Sequence, residues 1–170
     1  LAQELEPDVV LMDITMRELN GVEATRLVCE ACPATRVVML SMHSNSEHVF
    51  RALEAGAAGF VLKESAGEEV AAAVRAVHAG QRYFSPAIAA LGSTLQSRSG
   101  RVSPLNRLSA RERQVVQLVA EGHTSAEIAV IMNLSPKTIE TYRGRMMKKL
   151  GVKNVADLVK FAIEHSLIAT

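Results

Sequence analysis

Three residues of different chemistry stand at the ends of three successive apolar runs. Asp13 closes Val9-Val10-Leu11-Met12, Ser41 closes the run from Arg36 to Leu40, and Lys63 follows Gly59-Phe60-Val61-Leu62. A carboxylate can attack phosphorus to give an acyl phosphate, while an ammonium and a hydroxyl hold the equatorial oxygens on which charge spreads in the transition state. Each residue alone has a plainer reading, since a strand-end Asp commonly caps a loop and a Lys is commonly solvated. Their coincidence at three strand ends is what points to a phosphoryl-acceptor site.

A second set lies on one helical stretch, Pro136 to Leu150. At 100° per residue, Ile139, Tyr142, Met146 and Leu150 fall on one face and Lys137, Glu140, Thr141, Gly144, Arg145 and Lys148 on the opposite one. The first face packs and the second is free to enter a groove of a polyanion. The plain alternative is a solvated cationic helix in a bundle. Cys29 and Cys32 form a C-x-x-C on a helical stretch, but no second ligand pair follows. Two buried or half-buried thiols are expected there rather than zinc or a redox pair.

These residues require a scaffold, and the sequence pattern supplies one. After the strand Val9–Met12, Gly21 to Ala31 reads as helix, Arg36 to Ser41 as strand, and Ser46 to Ala55 as a helix closed by Gly56; Gly59 to Lys63 is a third strand and Gly67 to Ala79 a helix closed by Gly80. Such β-α-β-α-β-α alternation predicts a parallel sheet with right-handed crossovers and a ligand site at the carboxyl ends of the strands, where Asp13, Ser41 and Lys63 stand. From about Gly92 to Asn106 the periodicity fades into Gly, Ser and Pro, which reads as a linker. Four helices follow. Ser109 with Glu112 and Thr124 with Glu127 are capping boxes, Ser135 caps a helix with Pro136 in its first turn, and Asn154 with Asp157 opens the last. The expected division is 1–90, a linker over 91–106, and a helical domain over 107–170.

Composition agrees with a chain that buries a core: of 170 residues, 48% are apolar and 22% charged. No apolar run approaches the roughly 20 residues that span a bilayer, and no signal pattern opens the chain, so a soluble, cytoplasmic protein without a membrane partner is expected. The first residue is Leu1 rather than Met, which reads as a processed product or a fragment. The net charge of +1 hides an asymmetry: residues 1–90 carry 7 Lys and Arg against 12 Asp and Glu, residues 91–170 carry 12 against 6. A basic C-terminal half draws a polyanion, of which DNA is the usual one.

The segments Pro7-Asp8-Val-Val-Leu-Met-Asp13-Ile-Thr-Met16 and Asn20-Gly21-Val-Glu-Ala-Thr-Arg26 resemble the phosphoacceptor region of response-regulator receiver domains. The resemblance implies that Asp13 is the phosphorylated aspartate, Ser41 the switch hydroxyl, Phe60 the switch aromatic and Lys63 the phosphate-pairing lysine. It also implies Mg2+ as cofactor, held in part by Asp13 and the backbone carbonyl of Thr15, and sets Thr15 and His43 beside the path of the hydrolytic water. Two features depart from the pattern: Arg17 stands where proline often follows, and the family's magnesium-binding acid pair has no counterpart N-terminal of Pro7. Read as a receiver sheet without its first two strands, this half presents Val9–Met12 as an edge. Weak magnesium binding, with instability, swapping or association through that edge, is the expectation.

The second half resembles the LuxR-type C-terminal DNA-binding domain. The motifs are Leu108-Ser-Ala-Arg-Glu112-Arg, Ala120-Glu-Gly122-His-Thr-Ser-Ala-Glu127-Ile-Ala, Leu134-Ser-Pro-Lys-Thr138-Ile-Glu and Lys149-Leu-Gly151-Val, in one order. By that resemblance Ala126–Met132 and Pro136–Leu150 form a helix-turn-helix whose second helix reads DNA, and Asn154–Glu164 supplies a dimer contact. Within the reading helix, Lys137, Glu140, Thr141 and Gly144 are assigned to base edges and Arg143, Arg145 and Lys148 to phosphates, with Thr138 among the DNA-binding residues. Glu140 would accept from cytosine N4.

Together the halves resemble a NarL/FixJ-type response regulator: a partial doubly wound, flavodoxin-like parallel receiver sheet followed by an all-α four-helix LuxR-type domain. The resemblance implies a sensor histidine kinase as phosphodonor, reorientation of Ser41 and Phe60, release of the recognition helix, and a homodimer on a two-half-site operator, with Gly67–Ala79 as the receiver's dimer surface. The rival reading is a phosphorylation-independent DNA-binding transcription factor whose receiver remnant only dimerises. An Asp-nucleophile phosphohydrolase would need an acid two residues after Asp13, where Thr15 stands, so an enzyme is not expected. A LuxR-type quorum sensor would need an autoinducer pocket, against which the strand-end residues argue.

Overall fold

The structure is a computed structural model that describes residues 1–42, 44, 46–91, 104–165, 167 and 168. It divides into two compact units, one comprising Leu1–Ile14 with Gly21–Gly100 and the other Thr15–Asn20 with Arg101–Thr170. Most of the stretch read as a linker lies outside the described residues.

In the first unit a short helix α1 (Ala2–Leu5) precedes β1 (Val9–Asp13), α2 (Gly21–Ala31), β2 (Arg36–Ser41), α3 (Ser46–Glu54), β3 (Gly59–Leu62), α4 (Ala66–His78), β4 (Tyr83–Phe84) and α5 (Pro86–Ala89). The described strands form one sheet in the order β1-β2-β3-β4, all parallel. Parallel neighbours cannot be joined by a tight turn, so a helix crosses between each of the first strands. The alternating β and α pattern is therefore realised as read, with bounds shifted by a residue or two. β4 and α5 were not readable, because two and four residues carry no measurable period.

Successive strand residues face opposite sides, and both sides of this sheet are dry. Val37, Met39 and Phe60 point into one layer with Val22 of α2 and Val49 and Ala52 of α3. Val38 and Val61, the next residues along, point into a second layer with Ala73 and Val77 of α4. Such double coverage explains why β2 and β3 read as continuous apolar runs rather than alternating ones. Each buried Val or Phe contributes about 1.5–3 kcal/mol. β1 is an outer strand, and its Leu11 is 43% exposed. Cys29 on α2 and Cys32 just beyond it are free and half-buried; burial, helped by Glu30, raises the Cys29 thiol above its ordinary range.

The second unit packs α6 (Ala110–Ala120), α7 (Ser125–Met132), α8 (Pro136–Leu150) and α9 (Val155–Glu164), preceded by a 3-10 turn at Pro104–Arg107. Leu105 of that turn, inside the stretch read as linker, is buried in the core with Leu118, Ile128, Ile139, Met146 and Leu158. All four caps form: Ser109, Thr124, Ser135 and Asn154 each accept from the backbone N–H three residues on, and the first two complete capping boxes. Each replaces a hydrogen bond that the first turn of a helix lacks.

One cap has a second role. Glu112 is 3% exposed; its Oε2 accepts from Ser109 N at 2.7 Å and from Lys149 Nζ at 2.7 Å, tying the start of α6 to the end of α8. Burial pushes the carboxyl up, but the bonds from Lys149 and Ser109 outweigh it and hold the group below its ordinary value. An unfolded Glu titrates near about 4.3, so in the window below that value the unfolded state binds the extra proton. This stability is complete above the unfolded value and is lost as pH falls through the folded one. Glu112→Gln is expected to lose about 1–2 kcal/mol at neutral pH, a deficit that shrinks below pH ~4. Urea unfolding followed by helical circular dichroism on either side of that pH checks it, and a deficit equal at both would contradict it.

Candidate functional site

The parallel register brings the strand-end residues together. Asp13 pairs with Leu40 across β1 and β2, and Ser41 with Leu62 across β2 and β3. The ladder runs one residue further on each side: Ile14 N donates to Leu40 O at 3.0 Å and Lys63 N to Ser41 O at 2.8 Å. Neighbouring strands lie about 4.8 Å apart, so Asp13 and Lys63, with β2 between them, start about 10 Å apart at the backbone. The four-carbon stem of Lys63 crosses that gap, and its Nζ lies 2.6 Å from Asp13 Oδ2. About a third of each side chain is open to water, so as an ion pair it adds at most ~1 kcal/mol to folding. Its effect is positional: a carboxylate and a cation share one strand-end site.

Ser41 is 3% exposed beside this pair, and Phe60 is buried in the layer beneath it with Val49. Of the residues singled out at this site, the fold therefore gathers Asp13, Ser41 and Lys63 at one edge and places Phe60 within the supporting core. Thr15 belongs to the segment that groups with the second unit. His43 lies outside the described residues.

Gly21, read from the sequence as the first helical residue and as part of the receiver-like motif, is fixed by this geometry. A Cβ built there would stand 1.8 Å from the Asp13 carbonyl oxygen. Gly21 N donates to Ile14 O at 2.9 Å, and the fully buried Thr25 donates through Oγ1 to Gly21 O at 2.7 Å. The start of α2 is thereby pressed against the backbone that carries the acid.

Receiver domains generally use magnesium. A magnesium ion takes oxygen donors, usually one or two carboxylates with waters. Among the described residues no three His, Cys, Asp or Glu side chains converge, and Asp13 Oδ2 is in contact with the Lys63 ammonium. Asp13 is a carboxylate that this strand-end site offers a magnesium ion.

On α8 the two expected faces are real. Ile139 and Met146 are fully buried and Tyr142 and Leu150 pack against the same core. Lys137, Glu140, Thr141, Gly144, Arg145 and Lys148 are exposed. Among the described residues Lys137, Arg145 and Lys148 make no ion pair, whereas Lys149 is held by Glu112. A Cβ at Gly144 would meet nothing within 4 Å, so packing does not require the roughly 1 kcal/mol of helix propensity that glycine forfeits.

Hydroxyls on this helix are already engaged: Thr141 Oγ1 donates to Lys137 O at 3.0 Å, and Thr138 Oγ1 lies 2.8 Å from the Ser135 hydroxyl in the cap. Arg143 is half-buried and turned to α7, where its Nη1 donates to Ser125 Oγ at 3.3 Å; Ser125 Oγ in turn donates to Glu140 Oε1. Sequence reading missed Ser125. Its partners sit 15 and 18 residues away on another helix, and no local pattern signals them.

Comparison with known proteins agrees with both halves. The family model of the response regulator receiver domain matches residues 1–75, and that of bacterial regulatory proteins of the luxR family matches residues 106–162. Response regulator GacA of Pseudomonas aeruginosa is 40% identical over 171 residues, covering 99% of this chain and 79% of GacA. Transcriptional regulatory protein MctR of Rhizobium johnstonii is 34% identical over 171 residues, covering 99% and 77%. The structure of RcsB from Salmonella enterica serovar Typhimurium, bound to promoter P1flhDC in the presence of phosphomimetic BeF3-, superposes with a TM-score of 0.60 at 26% identity, covering 95% and 77%. A parallel α/β receiver sheet and a helical LuxR-type unit in one chain define a two-component transcription regulator. This chain belongs to the NarL/FixJ-type response regulators.

The Gly21 contact yields a stability test. Gly21→Ala must displace the Asp13 backbone and is expected to cost about 3 kcal/mol or more. Gly67→Ala, where a Cβ meets nothing within 4 Å, is expected to be neutral or stabilising by up to ~1 kcal/mol. Urea unfolding of the two variants beside the parent compares them directly, and equal stability would show that the approach of Gly21 to Asp13 is not a constraint.

Proposed function

We propose that Asp13 is the phosphoacceptor of a switch that controls DNA binding by α8. The observation that carries this reading is the Asp13–Lys63 contact at the strand ends, with Ser41 buried beside it. An Asp13 carboxylate oxygen attacks the phosphorus of a histidine kinase's phosphohistidine; the new P–O bond forms as the P–N bond breaks, and the imidazole leaves with the electron pair and takes up a proton. Lys63 then pairs with a phosphoryl oxygen, and Ser41 donates to another, a change to which Phe60 responds. The chain binds the phosphoryl group and passes on its state, which is regulation rather than turnover of a substrate.

The second half then acts as a dimer on a two-half-site operator. α8 enters the major groove with Lys137, Glu140, Thr141 and Gly144 toward base edges and Thr138 at its capped start, and Arg145 and Lys148 reach phosphates with Arg143 beside them. Open space at Gly144 and the unpaired-ion status of Lys137, Arg145 and Lys148 among the described residues support this assignment. The exposed Val155 and Ile163 of α9 suit a dimer contact. We take the first domain as 1–90 and start the second at about 104 rather than 107, because Leu105 is buried in the helical core. No helix among the described residues is long and apolar enough to cross a membrane, which fits a cytoplasmic regulator.

Two measurements test the two halves. Intact mass after incubation with a small-molecule phosphodonor, with and without magnesium, is expected to show one added phosphoryl group that is absent in Asp13→Asn; folded protein that takes up none would leave the phosphorylation-independent regulator as the reading. Arg145→Ala is expected to weaken binding to all DNA sequences about equally and to lower the slope of log affinity against log salt by about 1. A sequence-selective loss would instead place Arg145 on a base.

A further inference from the structure

We infer that Ser125, a residue of α7, sets the base preference of α8 by holding the Glu140 carboxylate in place. The inference deepens the reading of α8 as the DNA-reading helix and rests on it. The N-terminus of α7 does not need this hydroxyl: Thr124 is the cap, accepting from Glu127 N at 3.3 Å, and Glu127 returns the bond by accepting from Thr124 N at 2.7 Å and from its Oγ1 at 2.8 Å. Ser125, one residue further on, is spent wholly on α8. Its one hydroxyl proton goes to Glu140 Oε1, and its oxygen accepts from Arg143 Nη1 at 3.3 Å.

The consequence lies in what Glu140 does without it. A free glutamate on an exposed helix face samples many rotamers, and freezing one costs up to about 2 kcal/mol on binding. Glu140 and Arg143 are also three residues apart on one helix, the spacing at which opposite charges pair directly. Direct pairing would draw the carboxylate along the helix surface and off the base edge. Ser125 stands between them and keeps the two charges bridged through one hydroxyl. One carboxylate oxygen is used on Ser125, and the other remains an acceptor with no proton of its own. An acceptor-only group in the major groove selects an exocyclic amine, and cytosine N4 is the amine that acidic side chains read. The nearby guanidinium offsets the repulsion between this carboxylate and the phosphates on either side. Ser125 is thus a positioning residue: it contacts no base and acts through Glu140.

Selection of duplex DNA from a randomised library by the full chain defines the preferred half-site. Fluorescence anisotropy on single-base variants of that site, at one fixed salt concentration, then compares the parent with Glu140→Ala, Ser125→Ala and Ser125→Thr. Glu140→Ala is expected to abolish a cytosine preference at one half-site position. Ser125→Ala is expected to lower that same preference about fivefold, in the range of one net hydrogen bond, to leave the other positions unchanged and to melt like the parent. Ser125→Thr, which keeps the hydroxyl, is expected to retain the preference. Ser125→Cys, isosteric but a weak donor, repeats the test if the alanine variant melts early.

Loss of preference in Glu140→Ala with none in Ser125→Ala overturns the inference and leaves the reading of α8 intact. A uniform loss at all positions that Ser125→Thr does not restore overturns it in favour of a structural role. Unchanged preference in Glu140→Ala overturns the base-reading role of Glu140, and this inference with it.

Discussion

The first unit depends on the register of its parallel sheet. Parallel strands held by slanted, evenly spaced bonds finish at one edge, and here β1, β2 and β3 bring an acid, a hydroxyl and an amine there, each one register position beyond the last. A slip of one residue in β1 or β2 would turn Asp13 or Ser41 to the opposite face and shift the apolar side chains of that strand with it. The two dry layers therefore do more than stabilise the sheet: Val37, Met39 and Phe60 on one side and Val38 and Val61 on the other permit only one register. The site is a by-product of the core's insistence on that alignment. Gly21 adds a second lock, since α2 begins so close to the Asp13 carbonyl that no side chain fits between them.

The helical unit solves a different problem, which is to keep one face of α8 dry and the other charged. Ile139 and Met146 anchor it to the core, while the buried Glu112 carboxylate pairs with one of its cations, Lys149. Lys137, Arg145 and Lys148 face water without ion-pair partners among the described residues, an arrangement that costs little in solvent and leaves them able to displace counterions from a polyanion. Polar groups at the contact between α7 and α8 are accounted for as well. Ser125 serves both Glu140 and Arg143, so two charges of opposite sign on α8 are organised by a residue of another helix.

Much of this was legible in the chain. The strand runs ending at Asp13, Ser41 and Lys63 and the order of alternation announced the sheet, because buried parallel strands leave continuous apolar stretches. The four caps announced the helices, because capping is local: donor and acceptor lie three residues apart and the side chain that does it is written in place. The two faces of α8 followed from a 3.6-residue period that packing did not override. Harder to see were β4 and α5, too short to carry a period, and Leu105, an apolar residue in a Ser- and Pro-rich stretch that ends as core.

The sequence by itself determined the elements, their order, their caps and the chemical types available at each strand end, since each of these is fixed by contacts a few residues long. Tertiary structure alone decided which of those groups meet. That Lys63 reaches across β2 to Asp13, that Gly21 must lack a side chain, that Glu112 holds Lys149 and that Ser125 holds Glu140 all join positions 8 to 50 residues apart. Such contacts depend on packing distances between elements, and no residue type or local spacing encodes those distances.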